Sequence, residues 1–314
     1  LYEFSELYGE GGFKRMLAGG RVYPNSYYAF ENVDRASSVA TLVTGTNPYV
    51  NGIVGERWFD RSTLRAVSSV EDKKYKGLYS ISPYAPTRLK AITITDEMKR
   101  ASRGKAFVCA IAPDADAAVL SGGHAADAVL WKNNETGKWC SSSYYGQIPA
   151  WADAKNKETK SGKIEWIPTF PTEIYENFGE SAPEPFKYTF DGKKDVADYK
   201  TSACMNDEIT ELAISCLYGA KMGLDDIPDY LAVTYYAGNY KSAPMDDRPI
   251  EVQDIYSKLD GNISDLLKEL DKRVGMDNVL VCLSSTGYVV EGETNDSIYK
   301  IPSGLVHIDR VAAL

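Results

Sequence analysis

The chain has 314 residues, with 35 Lys+Arg against 44 Asp+Glu, a net charge of -9, 44% hydrophobic and 25% charged residues, and a pI near 5.0. These proportions exclude a disordered chain, and the acidic balance argues against a general nucleic-acid binder, which carries a basic footprint. Two histidines, His124 and His307, are too few to build a centre of several imidazole-held zinc ions, and no apolar run is long enough to span a membrane.

Leu1 leads directly into ELYGEGGFKRML, a helical pattern ended by Gly19 and Gly20. It reads as entered without a signal peptide, and the far end stops at RVAAL, which reads as the start of a helix. Both ends read as cut from a longer protein. AFVCAIA (106–112), DYLAVTYY (229–236) and DNVLVCLSS (277–285) are continuous apolar runs of the kind buried parallel strands use. Two amphipathic helices are expected around them. From Ser202 to Tyr218 the stripe is Met205, Ile209, Leu212, Ala213 and Cys216. From Ile250 to Val274 it is Val252, Ile255, Leu259, Ile263, Leu266, Leu267 and Leu270, with Gly275 as the stop. Strand–helix–strand order predicts crossover units in an α/β sandwich with a mostly parallel sheet. Residues 155–200 are rich in Lys, Glu, Pro and aromatics without periodicity. They read as an irregular insertion over the sheet, within one domain covering 1–314. The five cysteines (109, 140, 204, 216 and 282) are odd in number and form no CxxC; they read as small buried apolar residues.

Five phrases in order, GEGGFKRML (9–17), ATLVTGTNPYVNGIVGERWFD (40–60), SGGHAADAVLW (121–131), TGKWCSSSYY (136–145) with IPAW (148–151), and IEVQDIYSKLDGNISDLLKELDKRVGMDNVLVCLSSTG (250–287), resemble the alkaline phosphatase superfamily. The nearest branch is the bacterial phosphomonoesterases related to nucleotide pyrophosphatase/phosphodiesterases. The resemblance implies an α/β/α core holding two zinc ions beside a Thr or Ser nucleophile, in a protein of the bacterial envelope or periplasm. Two metals polarise the phosphate and activate the nucleophile, and polar or cationic groups hold its non-bridging oxygens.

Carried over position by position, that machinery is altered here. Counting back from Thr44-Gly45, the nucleophile position holds Arg35, which cannot attack phosphorus; Ser37 and Ser38 are the nearby alternatives, read otherwise as helix N-terminal polar residues. Val39 and Asn51 stand where the family has histidines. The phosphate-holding Asn corresponds to Glu56, and the Lys and Arg one residue apart after a strand correspond to Asp114 and Asp116. These changes replace attraction for phosphate by repulsion. The metal-ligand positions hold Asn239, Ala243, Thr286 and Gly287; the first and last family ligands would fall outside this chain. His124 reads as a hydrogen-bonded scaffold residue, His307 as a surface or helix-entry residue, Asp127 as a loop anchor, and Asp246-Asp247 as a solvated turn. Tyr144, Tyr145, Trp151 and Trp166 are candidates for a glycan or nucleotide cleft, with core packing the blander reading.

Two functional expectations follow. The first is a non-catalytic homologue that serves as a binding or interaction module for a protein, small molecule or glycan, with no cofactor. The alternative is an active phosphomonoesterase or phosphodiesterase. Its nucleophile would be relocated to Ser37 or Ser38, and zinc or another divalent metal would sit on acids such as Asp34, Glu56, Asp114 and Asp116. Carboxylate-only sites favour Mg, Ca or Mn. The first expectation makes a structural demand: the Arg35 guanidinium must pair with at least one of Glu56, Asp114 and Asp116.

Overall fold

The computed structural model describes residues 1–158, 163–175, 185–191, 194–242 and 249–287. The helices among them are α1 (Phe13–Gly19), α2 (Arg35–Thr44), α3 (Pro48–Asn51), α4 (Ile94–Ala101), α5 (Ala115–Gly122), α6 (Ala150–Lys157), α7 (Val196–Lys200), α8 (Ala203–Gly219) and α9 (Pro249–Arg273). The strands are β1 (Arg57–Asp60), β2 (Arg65–Ser68), β3 (Gly77–Leu78), β4 (Val108–Ala112), β5 (Ala128–Lys132), β6 (Trp139–Ser142), β7 (Ile164–Trp166), β8 (Tyr188–Phe190) and β9 (Tyr230–Val233).

Side-chain alternation along β4 and β5 builds the two faces of the central sheet. Cys109, Ile111, Ala128 and Leu130 enter a core shared with α8, while Ala110, Ala112, Val129 and Trp131 enter a second core shared with α2 and α5. The sheet therefore has helices on both sides, in the order β3-β6-β5-β4-β9. It is mixed. β4 runs parallel to β5 and β9, whereas β6 returns antiparallel to β5 and pairs antiparallel with β3. A short turn makes that return, with Asn133 Oδ1 accepting the Glu135 and Thr136 amides and Gly137 at φ +65°.

Both expected long helices form on their apolar stripes: Met205, Ile209, Leu212, Ala213 and Cys216 of α8 are fully buried, and Val252, Ile255, Leu259, Ile263 and Leu267 of α9 are buried. Gly275, at φ +82°, accompanies the end of α9. The third expected strand does not form. After a 3-10 turn at Met276–Asn278, residues 279–285 join no strand ladder, and Leu280 is 90% exposed. Val279 is extended, but an extended apolar segment becomes a strand only when a neighbour accepts its backbone hydrogen bonds, and among the described residues none does. Four of the cysteines are buried, as expected; Cys282, on this segment, is exposed, and all five are free.

Within 155–200, β7 and β8 pair antiparallel. They carry Trp166 into an aromatic cluster with Phe186, Tyr188 and Tyr240. The indole Nε1 donates to Asp254 Oδ2 of α9 at 2.6 Å, the Thr169 amide and the Tyr175 hydroxyl donate to Asp254 Oδ1, and the segment is thereby fastened to the helical layer.

Candidate functional site

α2 begins with a capping box. Asp34 accepts the Ser37 amide at 2.8 Å, and Ser37 Oγ accepts the Asp34 amide at 3.0 Å. This fixes Arg35 as the first helical residue and sends its side chain toward the start of α5, where Asp114 is the N-cap and Asp116 lies in the first turn. Positive charge at a helix N-terminus is unfavourable, and carboxylates there are favourable, so the two helix starts meet with complementary side chains.

The guanidinium engages all three expected acids. Its Nε donates to both Asp116 oxygens at 3.0 Å, Nη2 lies 3.0 Å from Asp116 Oδ1 and 3.1 Å from Glu56 Oε1, and Nη1 lies 3.2 Å from Asp114 Oδ2. Lys200, buried at the end of α7, completes the cluster: its Nζ donates to Asp114 Oδ1 at 2.5 Å and Asn134 Oδ1 at 2.7 Å. Three carboxylates thus face two cations. Burial alone would lower the Arg35 pKa, but Asp116, then Asp114 and Glu56, raise it instead. Burial raises Asp116 and Glu56, and Arg35 only partly offsets it. Asp114 is held low because Lys200 and Arg35 outweigh its burial. Tyr236, beyond β9, is pushed up to about 12 by burial and by Asp114, with Arg35 opposing.

The cluster lines a cleft of about 460 Å³ at the carboxyl ends of β4 and β5, together with Ser80, Ser82, Tyr84 and Trp131. Lys132, at its base, pairs with Glu208 at 2.5 Å.

Several singled-out residues have other work. Ser37 Oγ also donates to Asp34 Oδ1 at 2.8 Å, and Ser38 is fully buried. Asp34 Oδ2 accepts the Glu56 amide. Val39 packs in the core. Asn51 stitches its loop, donating to the Thr46 carbonyl and accepting the Ile53 amide. Asn239 accepts the Tyr236 hydroxyl on its backbone carbonyl. Thr286 and Gly287 lie in the unpaired 279–287 stretch, and among the described residues no hydrogen bond or ion pair joins them to Arg35. Ala243, His307, Asp246 and Asp247 lie outside the described residues.

His124 is a scaffold residue: Nδ1 lies 2.7 Å from Asp96 Oδ2 and Nε2 is 2.9 Å from the Leu89 carbonyl. Gly123 before it, at φ +70°, has no room for a Cβ, which would fall 2.4 Å from Thr93 Oγ1. Asp127 accepts the Val108 amide and pairs with Lys99, anchoring the start of β4. Tyr144, Tyr145, Trp151 and Trp166 do not line the cleft. Tyr145 donates to the Val119 and Gly123 carbonyls, Tyr144 to the His124 carbonyl, and the partly buried Trp151 packs against the buried core under α8. The cleft's aromatics are Tyr84 and Trp131, which the sequence reading did not select. It missed Lys200 as well; the residue stands in a stretch without periodicity, and burial of a lysine has no local signature.

A charged cleft outside the carboxyl ends of parallel strands, between two helix N-termini, is the site geometry of an α/β enzyme scaffold. The chain belongs to the type I phosphodiesterase / nucleotide pyrophosphatase family, whose model matches residues 1–303. Alkaline phosphatase PhoV of Synechococcus elongatus is 31% identical over 91% of this chain and 56% of that protein. Alkaline phosphatase PafA of Elizabethkingia meningoseptica is 28% identical over 97% of this chain and 60% of that one. A crystal structure of wild-type alkaline phosphatase PafA superposes with a TM-score of 0.86 at 26% identity, over 99% of this chain and 64% of that one. A PafA variant with one threonine, one asparagine, one lysine and one arginine substituted superposes at 0.81, with 28% identity over 96% of this chain and 63% of that one. The chain thus spans somewhat over half the length of these relatives. Among the described residues no helix is long and apolar enough to cross a membrane.

Proposed function

We propose that the chain carries a phosphoester-hydrolase scaffold whose reactive centre has become an ion-pair network, and that it acts as a non-hydrolytic binding or interaction module. The observation that carries this reading is Arg35, whose guanidinium is engaged by Glu56, Asp114 and Asp116. A guanidinium is no nucleophile, and the acids around it oppose phosphate. The intervals in the PafA variant support the positions. Its substituted threonine and asparagine stand 21 residues apart, as Arg35 and Glu56 do here, and its lysine and arginine two apart, as Asp114 and Asp116 do.

The zinc pair implied by the resemblance does not fit these residues. The three carboxylates are already held by Arg35 and Lys200, and Asn239, Thr286 and Gly287 supply neither carboxylate nor imidazole. A periplasmic or envelope location belongs to the same proposal and rests on the resemblance and on the relatives.

A second reading, an active metal-dependent phosphomonoesterase or phosphodiesterase, is favoured by the relatives, both of them named alkaline phosphatases. Taken alone, the comparisons support it better than the first. Against it stand the hydrogen-bonded Ser37 and the buried Ser38. The full-length protein, assayed on p-nitrophenyl phosphate and bis(p-nitrophenyl) phosphate with zinc, magnesium, calcium or manganese, separates the two. The first reading expects no turnover above buffer with any metal. Turnover that disappears in Ser37→Ala or Ser38→Ala would establish the second.

A further inference from the structure

We infer that the cleft beside Arg35 binds a small polar ligand through an ammonium group carried by that ligand, received by the Glu56 carboxylate. This rests on the reading of the site as a non-hydrolytic binding cleft. The first observation is the cavity. At about 460 Å³ it has the size of small-molecule sites, and it is continuous with the ion-pair cluster. The second is the charge balance on its inner wall. Arg35 and Lys200 are two cations against Glu56, Asp114 and Asp116. Lys132 is matched by Glu208, and at the rim the exposed Arg57 and Glu135 oppose each other in sign. One negative charge is left over.

That surplus is accessible at one place. Asp116 has a side chain only 9% exposed and is chelated by Arg35. Asp114 is shared between Arg35 and Lys200. Glu56, with a side chain 44% exposed, is the most exposed of the three and meets Arg35 at 3.1 Å through Oε1. Burial first, and the neighbouring carboxylates after it, displace the Glu56 and Asp116 pKa values upward against Arg35. The third observation is the rest of the lining. Tyr84 and Trp131 pack with ring centroids 5.7 Å apart and both line the cleft with the hydroxyls of Ser80 and Ser82. A half-buried ring such as Tyr84 near a carboxylate suits an ammonium, and the hydroxyls suit the polar remainder of such a molecule. A phosphate entering the same cleft meets the surplus negative charge instead.

Titration calorimetry of the full-length protein tests this with three probes that share one ring and differ in charge, namely glucosamine, glucose and glucose 6-phosphate, together with 1,4-diaminobutane as an amine without the ring. The expected result is binding by at least one amine, weakened about tenfold in Glu56→Gln, with glucose weaker than glucosamine and no binding of glucose 6-phosphate. If neither amine binds, or if Glu56→Gln leaves amine affinity unchanged, the inference is wrong while the absence of hydrolysis stands on its own assay. If glucose 6-phosphate binds most tightly, the electrostatic basis of the inference and of the non-hydrolytic reading falls together.

Discussion

Arg35 holds the centre because three acids share one guanidinium, but the acids are unequal. Asp116 meets Nε with both oxygens and is nearly buried, whereas Glu56 reaches Nη2 at 3.1 Å from a half-exposed position. Removing Asp116 leaves the guanidinium, itself only 33% exposed, with weaker partners. Asp116→Ala is expected to cost about 1–3 kcal/mol in urea unfolding, below the value for a fully buried pair because Asp114 remains. Glu56→Ala is expected to cost no more than about 1 kcal/mol, in the range of exposed pairs. Equal costs would contradict this ranking. The His124–Asp96 pair gives a pH signature. Burial alone would raise Asp96, but hydrogen bonds from His124 and Thr93 bring it down from 3.8 to about 2. The bond to Asp96 raises His124 above 6.5 against its burial. A depressed carboxylate contributes stability above its unfolded pKa and loses it as pH falls through the folded one; a raised imidazole contributes fully below its unfolded pKa and loses it as pH rises through the folded one. The stability difference between wild type and Asp96→Asn is therefore expected to be largest between 3.8 and 6.5 and to shrink on either side. A difference that does not change with pH would exclude the pair as its source.

Among the elements, α9 binds segments distant in sequence by burying polar side chains that accept from them. Asp260 takes the Gly9 and Phe13 amides, and Asp254 takes Trp166, Thr169 and Tyr175. Asp254→Ala strands three donors, one of them on the fully buried Trp166, and is expected to cost about 2–4 kcal/mol. Hydrogen exchange should rise in 164–175 and stay slow in β4 and β5; uniform acceleration would mean that the segment is not separately fastened. The long helices were legible because their stripes repeat over three or more turns, and β4 because an unbroken apolar run has few alternatives. DNVLVCLSS had the same composition and formed no strand, since pairing depends on a neighbour that local sequence does not contain. The antiparallel return of β6 rests on turn chemistry at Asn133 and Gly137, which the apolar pattern does not report.

For the molecule as a whole, the fold brings Arg35, Glu56, Asp114 and Asp116 from separate segments to one point, at intervals of up to 81 residues. Their meeting followed from the resemblance. Lys200, Tyr84 and Trp131 did not, because nothing in their local sequence distinguishes a cleft wall from ordinary packing. The central claim is that Arg35 and its acids have replaced the nucleophile and the phosphate-holding groups of this scaffold, and that the residues at its metal-ligand positions no longer hold metal. Elemental analysis of the full-length protein, expressed with ample zinc and separated from free metal by gel filtration, tests that most directly. The account predicts no stoichiometric zinc or other transition metal; two zinc ions retained per chain would contradict it.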